Sequence, residues 1–323
     1  MAFDEAVLER HPLEEPLFYL WQNRPAVIIG RNQSAYAEVN LPYLREKGIA
    51  LARRVTGGGA VYHDLGNLNY TIAGRTADLD ADLPLYLGMV SNALRSLGVP
   101  AEVSGRNDIL VGGRKCSGYA KRLSRDRMMI HGTLMFSVDL EELTRALDTP
   151  GSKLSAAGVA SVRSRVANLS EYLPGWSLEQ FREGMHTALA SEGSGCDSDG
   201  VPGCEAPLPE GFLDGVNELA DSKFRSWDWI YGNSPETELC LCRKFPSCGT
   251  VEARFSLQHG RIRGLRFTGD FLGALPADGI ESALEGCRYA PEALASQLET
   301  LPVSRCFDGL DPAGLLSLFT DNQ

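Results

Sequence analysis

The spacing of apolar residues predicts the regular elements in the first two thirds of the chain. In 82–97, leucine and valine recur at alternating four- and three-residue intervals, which places them on one face of an α-helix. Gly98 follows this helix as a C-cap. The apolar positions of 178–189 mark a second amphipathic helix. Short apolar runs predict strands at 25–30, 108–113 and 128–138.

The apolar pattern changes its period in the last third. Apolar and polar residues alternate strictly in 251–257, as in a half-buried strand, and the apolar pattern resumes in 262–267. His259 and Gly260 lie between the two runs, so we expect a β-hairpin. Helical segments are expected at about 276–286 and 291–300.

A change in composition indicates how the chain is divided. Residues 190–211 are rich in glycine, serine, proline and acidic residues and follow neither period, so we expect a long flexible loop. The 323 residues of the chain exceed the ~250–300 at which a single core stops growing. We therefore predict a larger domain in 1–239 and a small accessory domain in 240–323.

The charge of the chain excludes one class of partner and indicates another. Hydrophobic residues make up 43% and charged residues 23% of the chain, as in ordinary globular proteins. The net charge of −11 argues against nucleic-acid binding. Between Arg106 and Arg127, however, seven Lys/Arg residues stand against two Asp/Glu. This basic island favours an anionic ligand or an acidic partner; a solvated surface is the alternative.

Nothing in the chain predicts export or membrane insertion. The N-terminal segment MAFDEAVLERHPLEE is acidic and amphipathic, unlike a signal peptide. No apolar stretch reaches the ~18 residues that a membrane span requires. We expect a cytoplasmic protein that binds no membrane and whose eight cysteines are reduced. Cys240, Cys242 and Cys248 lie close together, but their C-x-C-x₅-C spacing lacks the pairing typical of zinc sites.

The segment RRVTGGGAVYHDLGNLNY, residues 53–70, combines bare backbone with fixed positive charge. Gly57, Gly58 and Gly59 allow positive φ and a close approach of N–H donors to a ligand. Arg54 can bind carboxylate or phosphate oxygens through two donors. The nucleotide-binding patterns GxxxxGK[ST] and GxGxxG are both absent from the sequence. Taken alone, the glycines favour a simple turn.

A second polar cluster, SGRNDILVGGRKCSGYA, occupies residues 104–120. Asn107 and Asp108 are suited to hydrogen-bonding a ligand or binding Mg²⁺. The ammonium group of Lys115 is suited to a phosphoryl oxygen, although most lysines are simply exposed. Cys116 is either a nucleophile of lowered pKa in a basic segment or a small packing residue, and we favour packing.

Two histidines accompany these clusters. His63 follows the glycines, and His131 precedes a glycine within an apolar run. A histidine in such surroundings is more often a structural hydrogen-bonding residue than a catalytic one. We therefore interpret both histidines as structural.

Taken together and in this order, the clusters resemble a lipoate–protein ligase. Besides the two segments already quoted, the resemblance rests on WQNRPAVIIGRNQSAYAEVN, HGTLMFSVDL, KLSAAGVASVRSRVANL and KFRSWDWIYGNSP. It covers most of the chain, including the small C-terminal domain. Ordered matches of this length are far more specific than any one motif.

The resemblance implies an α+β fold. A mixed central sheet flanked by helices would form a core similar to class II tRNA synthetases and biotin ligases, with a small C-terminal α/β domain beside it. It also implies that ATP activates free lipoate to lipoyl-AMP in the domain of residues 1–239, with Mg²⁺ as cofactor. The lipoyl group would pass to a lysine of acceptor lipoyl domains, in 2-oxoacid dehydrogenase E2 subunits and the glycine cleavage H protein.

The resemblance also assigns site residues. Those implied to contact ATP or lipoyl-AMP are Arg54, Gly57, Gly58, Gly59, Ala60, Val61, Tyr62, Asn67, Asn107, Asp108 and Lys115. Lys115 would also contact the lipoyl carboxyl group and is the expected catalytic residue. Fixed cations at such a site would offset the repulsion between a carboxylate and the α-phosphate.

The chain departs from the family pattern at two points. The family's RRxSGGG loop has Thr56 here in place of serine, which retains the hydroxyl group. The strand that usually precedes the segment matching AFDEAVL is missing, so we expect either further residues upstream or a missing edge strand.

Three alternative functions fit the sequence less well than the ligase. An ATP-independent octanoyl or lipoyl transferase of the same fold works through an acyl-cysteine, but no cysteine lies between Cys116 and Cys196. A lipoate-binding paralogue without catalysis is disfavoured because Arg54, the three glycines and Lys115 are all present. Biotin ligation is disfavoured because the GRGRxxR loop of that family is missing.

Overall fold

A computed structural model describes residues 1–104, 108–147, 164–193 and 206–321, apart from the side chain of Asp80. The chain divides into two compact units. The first takes in Met1–Arg31 and Ala52–Arg145 and continues, among the described residues, to Phe224. The second takes in Asn32–Leu51, a short piece from Ala146 and the described residues from Arg225 onward. The predicted boundary between residues 239 and 240 stays a prediction.

Both units combine strands with helices. The strands are β1 (Leu17–Trp21), β2 (Ala26–Ile29), β3 (Ala50–Arg53), β4 (Val61–His63), β5 (Asn67–Arg75), β6 (Ala101–Ser104), β7 (Asp108–Val111), β8 (Arg114–Ser124), β9 (Arg127–Met135), β10 (Thr237–Phe245), β11 (Gly249–Gln258) and β12 (Arg261–Gly269). The helices are α1 (Ala2–Arg10), α2 (Ala35–Glu38), α3 (Leu41–Lys47), α4 (Leu79–Ser96), α5 (Leu140–Ala146), α6 (Leu178–Gly193), α7 (Phe212–Leu219), α8 (Asp278–Leu284), α9 (Pro291–Leu298), α10 (Val303–Cys306) and α11 (Pro312–Thr320).

The elements predicted from apolar spacing are confirmed. Strands β2, β7 and β9 lie at the three short apolar runs, and helices α4 and α6 lie at the two amphipathic segments. The hairpin of β11 and β12 turns at His259 and Gly260, whose φ values of 52° and 67° match the two-residue turn that such hairpins favour. The predicted loop at 190–211 lies largely outside the described residues, although α6 extends to Gly193 and α7 begins at Phe212.

The first unit is built on a six-stranded sheet in the order β1-β5-β9-β8-β7-β6. Its neighbouring strands pair antiparallel. Within the described residues, this sheet is mixed only through a parallel bridge between Lys115 and Val166. Helices α4 and α6 cover one face, where Leu94, Phe181 and Tyr70 share a buried core. Strands β3, β2 and β4 form a separate small sheet next to the glycine loop.

The second unit contains an antiparallel sheet in the order β10-β11-β12. Its apolar face packs against the C-terminal helices, with the Phe255 and Phe319 rings 5.9 Å apart and the Phe267 and Phe307 rings 5.1 Å apart. The predicted α+β fold, a central sheet with helices and a small C-terminal domain, is confirmed. In the described ranges, no helix combines the length and apolar character of a membrane span.

Candidate active site

The glycine loop runs between β3 and β4 along a cavity of about 120 Å³. The cavity lies within the first unit. Six of the residues predicted for the site line it: Arg54, Gly58, Gly59, Ala60, Val61 and Lys115. Two segments that are distant in the sequence, the loop and the start of β8, are therefore brought to one site.

Glycine is required at two positions for the loop to take this shape. Gly58 has a φ of 94°, and a Cβ atom there would lie 2.9 Å from Nη2 of Arg54. A Cβ atom on Gly30 would lie 2.1 Å from the carbonyl oxygen of Gly58. The loop can therefore pass over residue 30 only because glycine has no side chain. At Gly57 and Gly59, by contrast, an added Cβ would meet nothing within 4 Å. Packing among the described residues leaves these two positions open to a ligand.

Arg54 holds the loop from inside. Its side chain is buried, and its Nη2 group donates to the carbonyl oxygens of Gly57 and Gly59 at 2.6 and 2.8 Å. Its Nη1 group donates to the carbonyl oxygen of Ile28 at 3.0 Å, and its Nε group donates to Thr56 Oγ1 at 3.0 Å. Burial lowers the pKa of Arg54 to about 10, so the guanidinium group stays charged at neutral pH.

This arrangement leaves backbone donors in the loop available. The carbonyl groups of Gly57 and Gly59 are used by Arg54. The N–H groups of Gly57, Gly58 and Gly59 make no hydrogen bond to any described part of the chain. Successive free N–H groups beside a buried cation form a favourable site for an anion.

Lys115, the second residue of β8, lines the same cavity as the glycine loop. Its ammonium Nζ lies 2.7 Å from Oδ1 of Asp108, and both side chains are about one-third exposed, at 37% and 34%. The carbonyl oxygen of Lys115 accepts a hydrogen bond from the N–H of Ala167 at 2.9 Å, which fixes its backbone. Asn107, the residue before Asp108 in the predicted set, lies outside the described residues.

Four predicted residues are not among the described residues that line the cavity: Gly57 and Asp108, which are partly exposed, and Tyr62 and Asn67, which are buried. Tyr62 is 6% exposed on β4. Asn67 is 1% exposed, and its amide donates to Asn69 Oδ1 at 2.8 Å. Asn69 does line the cavity. The N-x-N alternation in an otherwise apolar strand, which places both amides on one face, was the signal that could have pointed to Asn69.

His63 was interpreted from the sequence as structural, and the structure gives it a place in the cavity wall. The amide Nδ2 of Asn23 donates to Nδ1 of His63 at 3.0 Å, so the proton of the neutral ring is on Nε2. That Nε2 atom is buried and has no hydrogen-bond partner among the described residues. Burial, with the nearby charges of His131 and Arg54, lowers the pKa of His63 to about 3. His63 therefore offers the cavity an uncharged N–H donor.

Most of the basic island is paired within the first unit. Arg114 forms an ion pair with Glu171 at 2.6 Å, and Arg122 forms one with Glu5 at 3.3 Å. Arg127 donates to backbone carbonyl oxygens of α1 and the residue after it. In the island, Lys115 is the cation that lines the cavity among the described residues. Of the described cations in the island, Lys115 is therefore the one that we expect to bind an anionic ligand in the cavity.

Cys116 is the packing residue that we favoured from the sequence. Its side chain is fully buried, and its Sγ donates to the carbonyl oxygen of Ile109 at 3.4 Å. Burial raises the pKa of Cys116 to about 12, so the thiol stays protonated and is a poor nucleophile.

Within the described ranges, no cluster of three or more His, Cys, Asp or Glu residues could hold a metal ion. Asp108 is the one predicted carboxylate at the site. A Mg²⁺ ion in a nucleotide site commonly takes one or two carboxylates together with phosphate oxygens, so Asp108 suits a metal that arrives with phosphate.

Comparison with known proteins extends this picture. The family model of the lipoyl protein ligase A/B catalytic domain matches residues 1–190, and that of the bacterial lipoate protein ligase C-terminus matches residues 234–319. The chain is 35% identical over 320 residues to lipoate-protein ligase LplJ of Bacillus subtilis, which covers 98% of this chain and 95% of that protein.

Two solved structures are similar in fold. One is a bi-partite lipoate protein ligase of Thermoplasma acidophilum, studied with its E2 lipoyl domain; the TM-score is 0.65 at 30% identity, covering 72% of this chain and 91% of that one. The other is lipoate-protein ligase A bound with ATP; the TM-score is 0.61 at 29% identity, covering 72% and 92%.

Proposed function

We propose, because the chain belongs to the lipoate–protein ligase family, that it activates free lipoate with ATP to lipoyl-AMP and then transfers the lipoyl group to a lysine of an acceptor lipoyl domain. The observation that carries this proposal is a single cavity bordered by Lys115, buried Arg54 and the free N–H groups of the glycine loop. Such a set of donors suits two anions that must be brought together.

In the first step, a carboxylate oxygen of lipoate attacks the α-phosphorus of ATP. A bond forms between the carboxyl oxygen and phosphorus, the bond from the α-phosphorus to the bridging oxygen breaks, and pyrophosphate leaves. Both reactants are negatively charged, so positive charge and fixed N–H donors must offset their repulsion. We assign the phosphate to the N–H groups of Gly57–Gly59, and the carboxylate and α-phosphate to Lys115.

In the second step, the neutral amine of an acceptor lysine attacks the lipoyl carbonyl carbon. An amide bond forms, the bond from the carbonyl carbon to the phosphate oxygen breaks, and AMP leaves while the nitrogen loses a proton. Acceptor lipoyl domains of E2 subunits are favoured as partners because the similar Thermoplasma ligase was studied with its E2 lipoyl domain. We extend the same proposal to the glycine cleavage H protein.

Mg²⁺ would join the site with the nucleotide. Asp108 fits it as a single carboxylate ligand, and the phosphates would supply further oxygens. When bound, the ion would neutralise part of the charge on the phosphates. Asn107 stays a proposed contact of the nucleotide.

A transferase that works through an acyl-cysteine is not favoured. Cys116 is the cysteine nearest to Lys115 in the sequence, and its thiol is buried with a raised pKa. A paralogue without catalysis is not favoured either, because LplJ, which is similar over 98% of the chain, is a ligase by name.

The proposal is tested by ATP–pyrophosphate exchange with lipoate, octanoate and biotin in parallel. Lipoate-dependent exchange of label from pyrophosphate into ATP is the expected result, with less or no exchange on biotin. No exchange with any of the three acids, combined with acyl transfer from a carrier protein, would overturn the ligase mechanism in favour of the transferase.

A further inference from the structure

Arg54, which holds the glycine loop, is itself held by a line of buried polar side chains. Its Nε group lies 3.0 Å from Thr56 Oγ1, and the same oxygen lies 2.7 Å from Nε2 of His131. On the far side of the ring, Nδ1 of His131 lies 3.2 Å from Oδ2 of Asp4. The line joins α1, β9 and the loop after β3 within the first unit.

The chemistry of Asp4 and Arg54 fixes the direction of the hydrogen bonds at the two ends of this line. Burial opposes ionisation of Asp4, but the Met1 amino group, His131 and Tyr19 outweigh it and hold the pKa of Asp4 well below its ordinary value. As a carboxylate, Asp4 can only accept, so Nδ1 of His131 must carry the proton. Oγ1 of Thr56 lies against Nε2 of the same ring and accepts the Nε–H of Arg54, because a guanidinium group can only donate.

All four side chains are almost completely buried. Asp4 is 2%, Thr56 1%, His131 5% and Arg54 5% exposed. At such burial a hydrogen bond broken in the line takes from a polar group a partner that is costly to lose. Each member therefore constrains its neighbours more than an exposed group would.

We propose that Asp4, His131 and Thr56 are positioning residues for the nucleotide-binding loop. They orient the Thr56 hydroxyl group, which receives the Nε–H of Arg54 and keeps the guanidinium group turned toward the carbonyl oxygens of Gly57 and Gly59. The N–H groups of the loop are thereby kept available for phosphate. The inference rests on the proposed function, since it takes ATP as the ligand of the loop.

A purely structural role for Asp4 can be distinguished from the proposed positioning role. Tyr19 donates its hydroxyl group to Oδ1 of Asp4 at 2.6 Å, on the side of the carboxylate away from the line. If Asp4 only stabilised the fold, loss of the Tyr19 bond and loss of the Thr56 bond would affect activity alike. Tyr19→Phe is therefore a matched control, because it removes one buried hydroxyl group from the same network and leaves the line to Arg54 intact.

The experiment compares Thr56→Val, Thr56→Ser and Tyr19→Phe with the unaltered chain in lipoate-dependent ATP–pyrophosphate exchange. We expect Thr56→Val to raise KM for ATP by about tenfold or more, the effect of one lost hydrogen bond to a charged group, with little change in KM for lipoate. Thr56→Ser and Tyr19→Phe should stay within about twofold of the unaltered chain. Equal effects of Thr56→Val and Tyr19→Phe, or no effect of Thr56→Val, would overturn the proposal.

A second measurement does not depend on a variant that folds. In the unaltered protein, ¹⁵N chemical shifts of His131 should show a proton on Nδ1, the ring nitrogen that faces the Asp4 carboxylate. A ring with no proton on Nδ1 would contradict the hydrogen bond to Asp4. If the unaltered chain shows no lipoate-dependent exchange, the proposed function fails, whereas the tautomer still tests the line of hydrogen bonds by itself.

Discussion

The ammonium group of Lys115, a residue that lines the cavity, and the carboxylate of Asp108 lie 2.7 Å apart. Both side chains are about one-third exposed, and ion pairs of this kind contribute only about 0–1 kcal/mol to stability. The pair therefore holds the ammonium group beside the glycine loop without binding it so tightly that an anionic substrate could not compete.

Lys115→Ala should abolish lipoate-dependent ATP–pyrophosphate exchange while changing the free energy of unfolding by less than about 1 kcal/mol. The reason is that the side chain is needed for charge at the cavity and contributes little to packing. Urea titration and the exchange assay measure the two quantities. Lys121→Ala, at an exposed position of the same strand, is the control and should retain exchange. Retained exchange in Lys115→Ala removes that lysine from the mechanism.

Two substitutions in the glycine loop should affect stability and ATP binding separately. Gly58→Ala should lower the free energy of unfolding by about 1–3 kcal/mol, because an alanine would be strained at this φ and would approach Arg54. Gly59→Ala meets nothing within 4 Å and should leave stability nearly unchanged, but it should raise KM for ATP because the Cβ atom occupies the approach to the N–H groups. If Gly59→Ala binds ATP as well as the unaltered chain, the loop does not contact the nucleotide closely.

His63 should make the fold sensitive to acid. Its pKa is about 3 in the folded chain, chiefly through burial, against an ordinary value of 6.5. Between these pH values the unfolded chain binds a proton that the folded chain does not. Stability is therefore fully present above about pH 6.5 and falls as the pH drops toward 3, with a slope of about 1.4 kcal/mol per pH unit from this residue.

Urea titrations between pH 7 and pH 4 measure this slope. His63→Asn keeps an acceptor for Asn23 and should flatten the slope by about one proton. His11, whose pKa is also lowered by burial, gives the comparison variant His11→Asn, which should flatten it less. A slope that does not change in His63→Asn would mean that the residue is not buried as a neutral ring.

Cys116 should not react with thiol reagents in the folded protein. A thiol reagent should modify the exposed Cys240 and Cys242 rapidly and Cys116 only after unfolding. Cys116→Ala should lower stability through lost packing and keep exchange within about twofold. Loss of exchange with retained folding would place the Cys116 thiol in the ATP-dependent step and would contradict its assignment as a packing residue.

Much of the fold could be predicted from local pattern. The helices α4 and α6 and the hairpin β11–β12 follow from apolar spacing and a two-residue turn, which are properties of short segments. The six-stranded sheet could not be predicted in this way. Its order places β5 between β1 and β9, and such pairing depends on contacts between distant segments.

The candidate site was also predicted only in part. Arg54, the glycine loop and Lys115 were predicted from residue type and resemblance, and they line one cavity. The role of Arg54 inside the loop could not be predicted, because its donors are directed to carbonyl oxygens that only the folded backbone brings near. The place of His63 was missed for a related reason. Its proton lies on Nε2 because Asn23, which is distant in the sequence, donates to Nδ1, and only the folded chain brings the two residues together.

The most direct test of the account is the detection of the activated intermediate. The purified protein is mixed with lipoate and ATP without an acceptor, quenched, and analysed by mass spectrometry, and then chased with an apo lipoyl domain. We predict lipoyl-AMP in an amount close to that of the enzyme, and its loss on the chase as the acceptor gains one lipoyl group and AMP appears. Lipoylation of the acceptor with ATP absent, or without lipoyl-AMP before the chase, would contradict the account.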